Sequence, residues 1–322
     1  MNINKEVHLF LQKLPNLEGG KIAVGYSAGA DSTALLHILS QKAKHFNFQL
    51  EAVFFSHSGS PINEGEDKNL NLAKILCEKM NIKLIDVSID MQKSAKKSWE
   101  QLGREGRLAF YKKSQYDYVF LGHHQDDQNE TTMMQLLRGG GRGSSAMKEL
   151  DGIFCRPMLK VPKEEIYNYL KERNIPWIED PTNVNVEFAR NWWRNEGLPK
   201  IKEHYPNYGQ LLENFREKNT ALNQIAFDMA KMDGLDNFLA GKSISIKDLP
   251  DYRVSNLLSY AFSSIGKYIE TNKIDNWLKI GKATKSSEIV AGDYMFTYKD
   301  NDIGLINIKK ENKNQIPKKI KP

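Results

Sequence analysis

The sequence predicts an α/β fold, in which helices flank a parallel sheet and a smaller, mostly helical C-terminal domain follows. The first observation behind this prediction is that short, largely apolar runs alternate with stretches of helical periodicity in the first half of the chain. Strands that alternate with helices at this spacing form parallel sheets with right-handed crossovers. The predicted strands cover residues 22–24, 52–55, 84–87 and 118–121, and the predicted helices cover residues 33–45, 67–80 and 99–113.

The second observation is a change of pattern in the second half of the chain. Residues 164–173 have the spacing of an amphipathic helix, and residues 208–240 keep helical periodicity without strand signals. Residues 288–308 are typical of a β-hairpin with Asp300 and Asn301 at its turn. This half therefore predicts a helical region that carries a small β element.

Length supports a division into two domains. A chain of 322 residues more often splits than remains one domain. Residues 1–14 place apolar side chains on one side of a helical wheel, so we expect a short helix that caps the sheet. We predict a larger domain at residues 1–204 and a smaller one at residues 205–322.

Composition limits the classes of function. The 46 Lys and Arg residues exceed the 40 Asp and Glu residues, and the net charge of +6 favours a polyanionic partner without proving one. Cys77 and Cys155 lack CxxC spacing, which argues against a disulfide framework and against a cysteine-bound metal cluster. No segment approaches the length of a membrane-spanning helix. We expect a soluble, cytoplasmic protein with no membrane partner.

A loop of small residues joins the first predicted strand to the helix that follows it. Residues 27–32 read Ser-Ala-Gly-Ala-Asp-Ser. Such a loop turns backbone N–H groups and the positive end of the helix dipole toward an anion such as a phosphate. It is neither a Walker loop nor a GxGxxG dinucleotide motif. The alternative is an ordinary turn in which Asp31 stabilises the helix N-terminus.

A second polar segment follows the predicted strand at residues 118–121. Asp127 and Glu130 are three residues apart, so they share one face near the start of a helix. Paired acids at the carboxyl end of a parallel strand stand where α/β sheets bind ligands, and they could hold Mg²⁺ or an ammonium group. The alternative is helix capping by Asp126 and Asp127 beside two solvated histidines.

Both segments resemble motifs of a known enzyme family. Residues 27–32 resemble the SGGxDS loop of the PP-loop ATP pyrophosphatases, which cleave ATP between its α and β phosphates. Ala28 stands where that family usually has glycine. Residues 123–141 (HHQDDQNETTMMQLLRGGG) resemble the HHxDDQxET…LLRG segment of the tRNA(Ile)-lysidine synthetase family. That family attaches lysine to a cytidine of an isoleucine tRNA.

Further segments agree with this family in the same order. Glu100, Arg104 and Arg107 resemble its ExxxRxxR helix, and residues 156–159 (RPML) resemble its RPLL turn. Residues 177–194 resemble its WxEDxSN…FxRNxxR stretch. The resemblance covers the first two thirds of the chain. Two loops depart from the family pattern: one keeps only His57 of a VxHGLR-like stretch, and the glycine-rich loop at residues 139–147 is one residue shorter.

The resemblance implies a role for each matching residue. It implies an ATP site formed by Ser27, Ala28, Gly29, Ala30, Asp31, Ser32 and His57. It implies that the substrate lysine is bound by Arg104, Asp127 and Glu130, and that Asp31, Asp127 and Arg104 are catalytic. It implies that Asp31 and Asp127 hold Mg²⁺, and that the tRNA is contacted by Arg138, Arg190 and Arg194.

The implied reaction joins free lysine to carbon 2 of the wobble cytidine in an isoleucine tRNA with a CAU anticodon, releasing AMP and pyrophosphate. The family also suggests a homodimer. Two alternatives stay open: another PP-loop tRNA-modifying enzyme or amidotransferase-linked ligase, and a degenerate homologue that binds nucleotide or RNA without catalysis. The missing CxxC motif argues against an iron–sulfur thiolase, and no glutaminase segment is present. Individually, Arg104 and Arg107 also fit a solvated helix face, and Arg190 and Arg194 fit a surface charge pair at helical spacing.

Overall fold

A computed structural model describes residues 2–58, 66–90, 99–137, 147–179, 189–267 and 269–308. The chain divides into two compact units, Met1–Arg216 and Glu217–Pro322. The division falls within one long helix, Tyr208–Met232. The domain limits at residues 1–204 and 205–322 stay a prediction.

A six-stranded, mostly parallel sheet forms the centre of the first unit, as the fold class predicts. The strand order is β3-β2-β1-β4-β6-β5, and only β5 runs antiparallel to its neighbour. The strands are β1 (Lys21–Tyr26), β2 (Gln49–Ser58), β3 (Lys83–Asp90), β4 (Tyr118–Phe120), β5 (Leu150–Asp151) and β6 (Phe154–Cys155).

Helices cover both faces of this sheet. Those of the first unit are α1 (Ile3–Lys13), α2 (Ala30–Phe46), α3 (Glu66–Lys79), α4 (Trp99–Lys113), α5 (Gln125–Leu137), α6 (Lys163–Glu172), α7 (Ala189–Trp192), α8 (Leu198–His204) and the start of α9 (Tyr208–Met232). Side chains of β1 alternate between two cores: Ile22 and Val24 pack in the core that contains residues of α1, α2 and α6, and Ala23 packs in the one that contains Tyr111 of α4.

Among the described residues, the second unit packs the end of α9 and three further helices against a four-stranded antiparallel sheet of order β7-β10-β9-β8. The elements are α10 (Leu235–Leu239), β7 (Ile244–Ser245), α11 (Asp251–Ser264), α12 (Thr271–Thr284), β8 (Ser286–Ala291), β9 (Tyr294–Lys299) and β10 (Asp302–Asn307). The rings of Phe262 and Phe296 stack with centroids 3.8 Å apart in its core.

The predicted hairpin is confirmed. Asp300 and Asn301 connect β9 to β10, and both have positive φ angles, 46° and 69°. Two-residue hairpin turns favour these angles because their twist matches that of the strands, and Asn and Asp tolerate them well. β8 adds a further strand on the outer side of β9. Within the described residues, no helix is long and apolar enough to cross a membrane.

Candidate functional site

The sheet order places the two polar segments at one edge. β1 lies between β2 and β4, so the strand order reverses at β1 and β4. In open α/β sheets, ligands bind outside the carboxyl ends of the strands at such a switch point. Residues 27–32 follow β1, and the segment that contains Asp127 and Glu130 follows β4. Their juxtaposition makes this edge the candidate site.

The loop after β1 is held by its own serines. Ser32 Oγ accepts from the Ser27 backbone N–H at 3.2 Å, donates to the Gly29 carbonyl at 3.2 Å and lies 3.2 Å from Ser27 Oγ. α2 begins directly after Gly29, and the Gly29 position, without a side chain, makes no side-chain cap. The first N–H groups of a helix have no partner within it. The loop therefore presents donors suited to an anion.

Ala28 follows the backbone path that glycine favours. Its φ angle is 60°, in the left-handed region, and its methyl group is fully buried. Its carbonyl accepts from the Ile178 backbone N–H at 3.0 Å. Left-handed backbone costs an L-residue roughly 1–2 kcal/mol. Alanine adopts this conformation at that cost, and its methyl group fits the buried space that surrounds it.

Gly122 allows the second segment to approach the loop. A Cβ atom at this position would lie 3.0 Å from the Ser32 backbone nitrogen and 3.0 Å from the Asp31 carbonyl carbon. Beyond it, His124 Nε2 lies 3.7 Å from Asp31 Oδ1 and 3.4 Å from Asp127 Oδ2. The imidazole of His124 therefore links the two segments.

A buried cluster of two acids and two arginines lies beside this histidine. Glu130 is fully buried, and its oxygens accept from Arg190 Nε at 2.8 Å and from Arg194 Nε at 2.7 Å. Both guanidinium groups also donate to Asp127 Oδ1, each at 2.9 Å. The residues predicted separately for lysine and for tRNA are thus in direct contact.

The charges in this cluster stabilise one another. Burial by itself would raise the pKa of Asp127, but His124, Arg190 and a backbone N–H group outweigh it and hold that pKa below its ordinary value. Burial would likewise lower the pKa of Arg190 and of Arg194, but the two carboxylates raise both above the ordinary value. Asp127, Arg190 and Arg194 therefore each favour the charged form in this cluster.

Asp127 also caps its own helix. Its Oδ2 accepts from the His124 backbone N–H at 3.0 Å, three residues earlier, as the acid of a capping box does. The capping alternative is thus correct for Asp127 in addition to its place in the cluster. The suggestion of two solvated histidines is wrong for His124, which is 2% exposed. Burial lowers the pKa of His123 to about 4, so this imidazole is neutral at neutral pH.

The two arginines of the cluster lie on consecutive turns: Arg190 belongs to α7, and Arg194 belongs to a π-helical turn, Trp193–Gly197. This π-helical turn continues α7, and Gly197 is required because a Cβ atom there would lie 2.6 Å from the Trp193 ring. Trp193 is buried, whereas Trp192 is 43% exposed. Of the two tryptophans, only Trp192 presents an exposed ring.

Lys163 is a site residue that the sequence analysis did not identify. Its ammonium lies 2.6 Å from Asp31 Oδ1 and 2.7 Å from Asp31 Oδ2. Lys163 is the first residue of α6, where the positive end of the helix dipole disfavours a cation. A lysine in this unfavourable position, after Pro162, is the signal that could have indicated a buried partner.

Several predicted site residues are not tied to this cluster. Arg104 is exposed on α4, and no ion pair joins it to an acid of the cluster within the described residues. Its charge instead helps burial to lower the pKa of Arg156. The backbone of His57 belongs to β2, but its side chain lies outside the described residues, as does Arg138.

Comparison with known proteins supports this architecture. A family model described as a PP-loop domain matches residues 1–201. The chain belongs to the PP-loop family. Among solved structures, a U34-tRNA thiolase from Methanococcus maripaludis aligns with a TM-score of 0.53 at 16% identity, covering 67% of this chain and 77% of that one. At this identity, the likeness concerns the fold alone.

Curated relatives carry one name, tRNA(Ile)-lysidine synthase. The protein from Nitrosomonas europaea is 31% identical over 75% of this chain and 54% of its own length. The one from Chromobacterium violaceum is 34% identical over 58% and 43%, respectively. The one from Hydrogenovibrio crunogenus is 30% identical over 86% and 67%. The chain thus spans about half the length of the first two relatives.

Proposed function

We propose that this PP-loop protein ligates lysine to carbon 2 of the wobble cytidine in a CAU-anticodon isoleucine tRNA, using ATP and releasing AMP and pyrophosphate. The observation that carries the proposal is the contact of His124 with both Asp31 and Asp127. It joins a loop suited to phosphate with a cluster of carboxyl and guanidinium groups suited to an amino acid. The name shared by the curated relatives supports the same reaction.

In this proposal, residues 27–32 bind ATP, with His57 contributing from the end of β2. The first N–H groups of α2 are aimed at the phosphates and stabilise the negative charge that develops as pyrophosphate leaves. The carbon-2 oxygen of the cytidine attacks the α-phosphate, and pyrophosphate leaves. This step turns the oxygen, a poor leaving group, into part of AMP, a good one. The lysine ε-amine then attacks carbon 2 and displaces AMP. Positioning and charge neutralisation account for most of such catalysis.

Mg²⁺ fits Asp31 better than Asp127. Proteins usually hold this ion with one or two carboxylates together with phosphates and water. The Asp31 side chain is 29% exposed and has one cationic partner, Lys163. The Asp127 side chain is 9% exposed and accepts from two arginines and a backbone N–H. Among the described residues, no three His, Cys, Asp or Glu side chains are grouped as a metal site, so phosphate oxygens would complete the coordination. When bound, Mg²⁺ would neutralise charge on the departing pyrophosphate.

For the substrate lysine, we propose Asp127 and Glu130 as partners of the ammonium and Arg104 as partner of the carboxylate, since an ion pair needs opposite charges. Glu130 is enclosed by Arg190 and Arg194, so its contact with an ammonium requires one arginine to move aside. An acid beside the amine would also accept the proton that the amine must lose.

For the tRNA, we propose contacts from Arg138, Arg190 and Arg194. The last two side chains are 39% and 32% exposed, so each keeps a face for a phosphate while its other side binds the carboxylates. Trp192 could stack on an unpaired base. We further propose a cytoplasmic location, consistent with the free, buried thiols of Cys77 and Cys155, and a homodimer.

The direct test incubates the protein with ATP, lysine and the CAU-anticodon isoleucine tRNA. We expect AMP release that depends on both lysine and tRNA, together with a lysine-modified cytidine in the recovered tRNA. An isoleucine tRNA with a GAU anticodon is the matched control. It should support neither AMP release nor lysine modification. AMP release that needs no lysine would instead favour another PP-loop activity, and ATP binding without turnover would favour a degenerate homologue.

A further inference from the structure

A cation that no motif assigns contacts the loop at residues 27–32. Lys163 Nζ contacts both oxygens of Asp31, at 2.6 and 2.7 Å, and the two side chains are 28% and 29% exposed. The ammonium binds the Asp31 carboxylate strongly, because an ionised donor roughly doubles the strength of a hydrogen bond. Asp31 therefore already has a cation in the nucleotide-free protein.

The start of α6 is held in place beside Asp31. The Lys163 backbone N–H donates to Asp126 Oδ2 at 3.1 Å, and its Nζ lies 5.1 Å from the centre of the Tyr167 ring. Helix α6 is anchored in the core by Ile166 and Leu170, both fully buried. The base of the Lys163 side chain is thus fixed beside Asp31, while its flexible stem allows Nζ to turn from this carboxylate to another nearby anion.

Asp31 is also the acid that best fits Mg²⁺, and the ion would need the same oxygens. A hard divalent cation outcompetes an ammonium for a carboxylate when phosphates supply further oxygens. The released ammonium would then stand beside these phosphates, at the N-terminus of α2, where positive charge is already concentrated. One lysine can thus neutralise the acid first and a phosphate afterwards.

We propose that Lys163 is a placeholder cation: it occupies Asp31 in the free protein, yields these oxygens to Mg²⁺ when Mg–ATP binds, and then contacts a phosphate. This inference rests on the ATP site of the proposed function. It assigns Lys163 to nucleotide binding and makes metal binding depend on the nucleotide.

The test is a pair of binding measurements on Lys163→Met. Mn²⁺ binding without nucleotide, followed by electron paramagnetic resonance, should strengthen about tenfold because the competing ammonium is gone. Mg–ATP binding, followed by calorimetry, should weaken about tenfold because a phosphate contact is lost. A merely structural lysine would weaken both or change neither, and either result overturns the proposal.

Two controls accompany this variant. Lys163→Arg keeps the positive charge and should stay closer to wild type in both measurements. Lys171→Met removes an exposed lysine from the same helix and should change neither. Should Lys163→Met fail to fold by circular dichroism, Lys163→Gln takes its place with the same two expectations.

Neither binding measurement contains lysine or tRNA, which separates this inference from the proposed function. Opposite shifts in Lys163→Met without lysidine formation by the wild type would support the placeholder and contradict the proposed reaction. Lysidine formation without opposite shifts would support the reaction and contradict the placeholder.

Discussion

At the scale of single residues, the Ala28 backbone has a φ angle of 60° while its methyl group is fully buried. Two opposing effects meet here. The left-handed conformation costs roughly 1–2 kcal/mol, and burial of a methyl group contributes about 0.8 kcal/mol. Two constraints therefore limit the residue type at this position: the left-handed backbone angle and the small space for a side chain.

We expect Ala28→Gly to change the free energy of unfolding by less than about 1 kcal/mol, because relief of the backbone strain offsets the lost methyl group. Ala28→Val should destabilise the protein by about 2 kcal/mol or more, because a β-branched residue tolerates neither this angle nor the filled space. Urea unfolding of both variants measures the difference. Equal stability of the valine variant and wild type would show that the loop does not need this angle.

At the scale of elements, α5 and α6 are joined at their N-termini. The Asp126 side chain of α5 accepts from the first backbone N–H group of α6 at 3.1 Å. Pro162, which precedes α6, makes no side-chain cap. A residue remote in sequence thus supplies the cap that a local Ser, Thr, Asn or Asp normally supplies. This contact also fixes the position of Lys163 relative to α5.

Asp126→Ala should lower the free energy of unfolding by about 1 kcal/mol, the usual effect of losing a helix cap. Asp126→Asn keeps an oxygen acceptor of the same shape and should lose only a fraction of this. Chemical denaturation of the two variants in parallel provides the measurement. An equal loss in both would attribute the stabilisation to the charge of Asp126 rather than to its hydrogen bond.

At the scale of the whole molecule, the net charge of +6 accompanies the proposed tRNA partner. In the second unit, Lys242 and Lys247 are exposed, and other lysines already pair with acids, such as Lys282 with Asp251. Exposed lysines contact phosphates without reading sequence, and such binding releases counterions. The charge therefore bears on tRNA affinity more than on tRNA identity.

Affinity for the tRNA should fall at least about tenfold between 50 and 200 mM salt, since several phosphate contacts are expected. Filter binding over a salt series gives the slope of log K against log salt. The double variant Lys242→Gln, Lys247→Gln should reduce that slope by up to about 2, one unit for each lost phosphate contact. A slope that both proteins share would exclude these two lysines from the interface.

Much of the fold followed from local pattern. The predicted strands at residues 22–24, 52–55, 84–87 and 118–121 all lie in β1 to β4 or extend one residue past them, because buried parallel strands are short apolar runs. The hairpin turn at Asp300 and Asn301 followed from residues that tolerate positive φ angles. The π-helical turn could not be predicted from local pattern. Its wider backbone turn depends on how closely Gly197 packs against the Trp193 ring.

The sequence alone predicted β1 to β4 with the helices between them, the small-residue loop at residues 27–32 and the acids at the start of α5. It did so because periodicity and helix-terminus chemistry are local properties. Which charges meet became known from the packed fold: Glu130 pairs with Arg190 and Arg194, and Asp31 pairs with Lys163. An ion pair needs only opposite charge and proximity. Proximity between residues 60 to 132 positions apart depends on how the sheet and its helices pack.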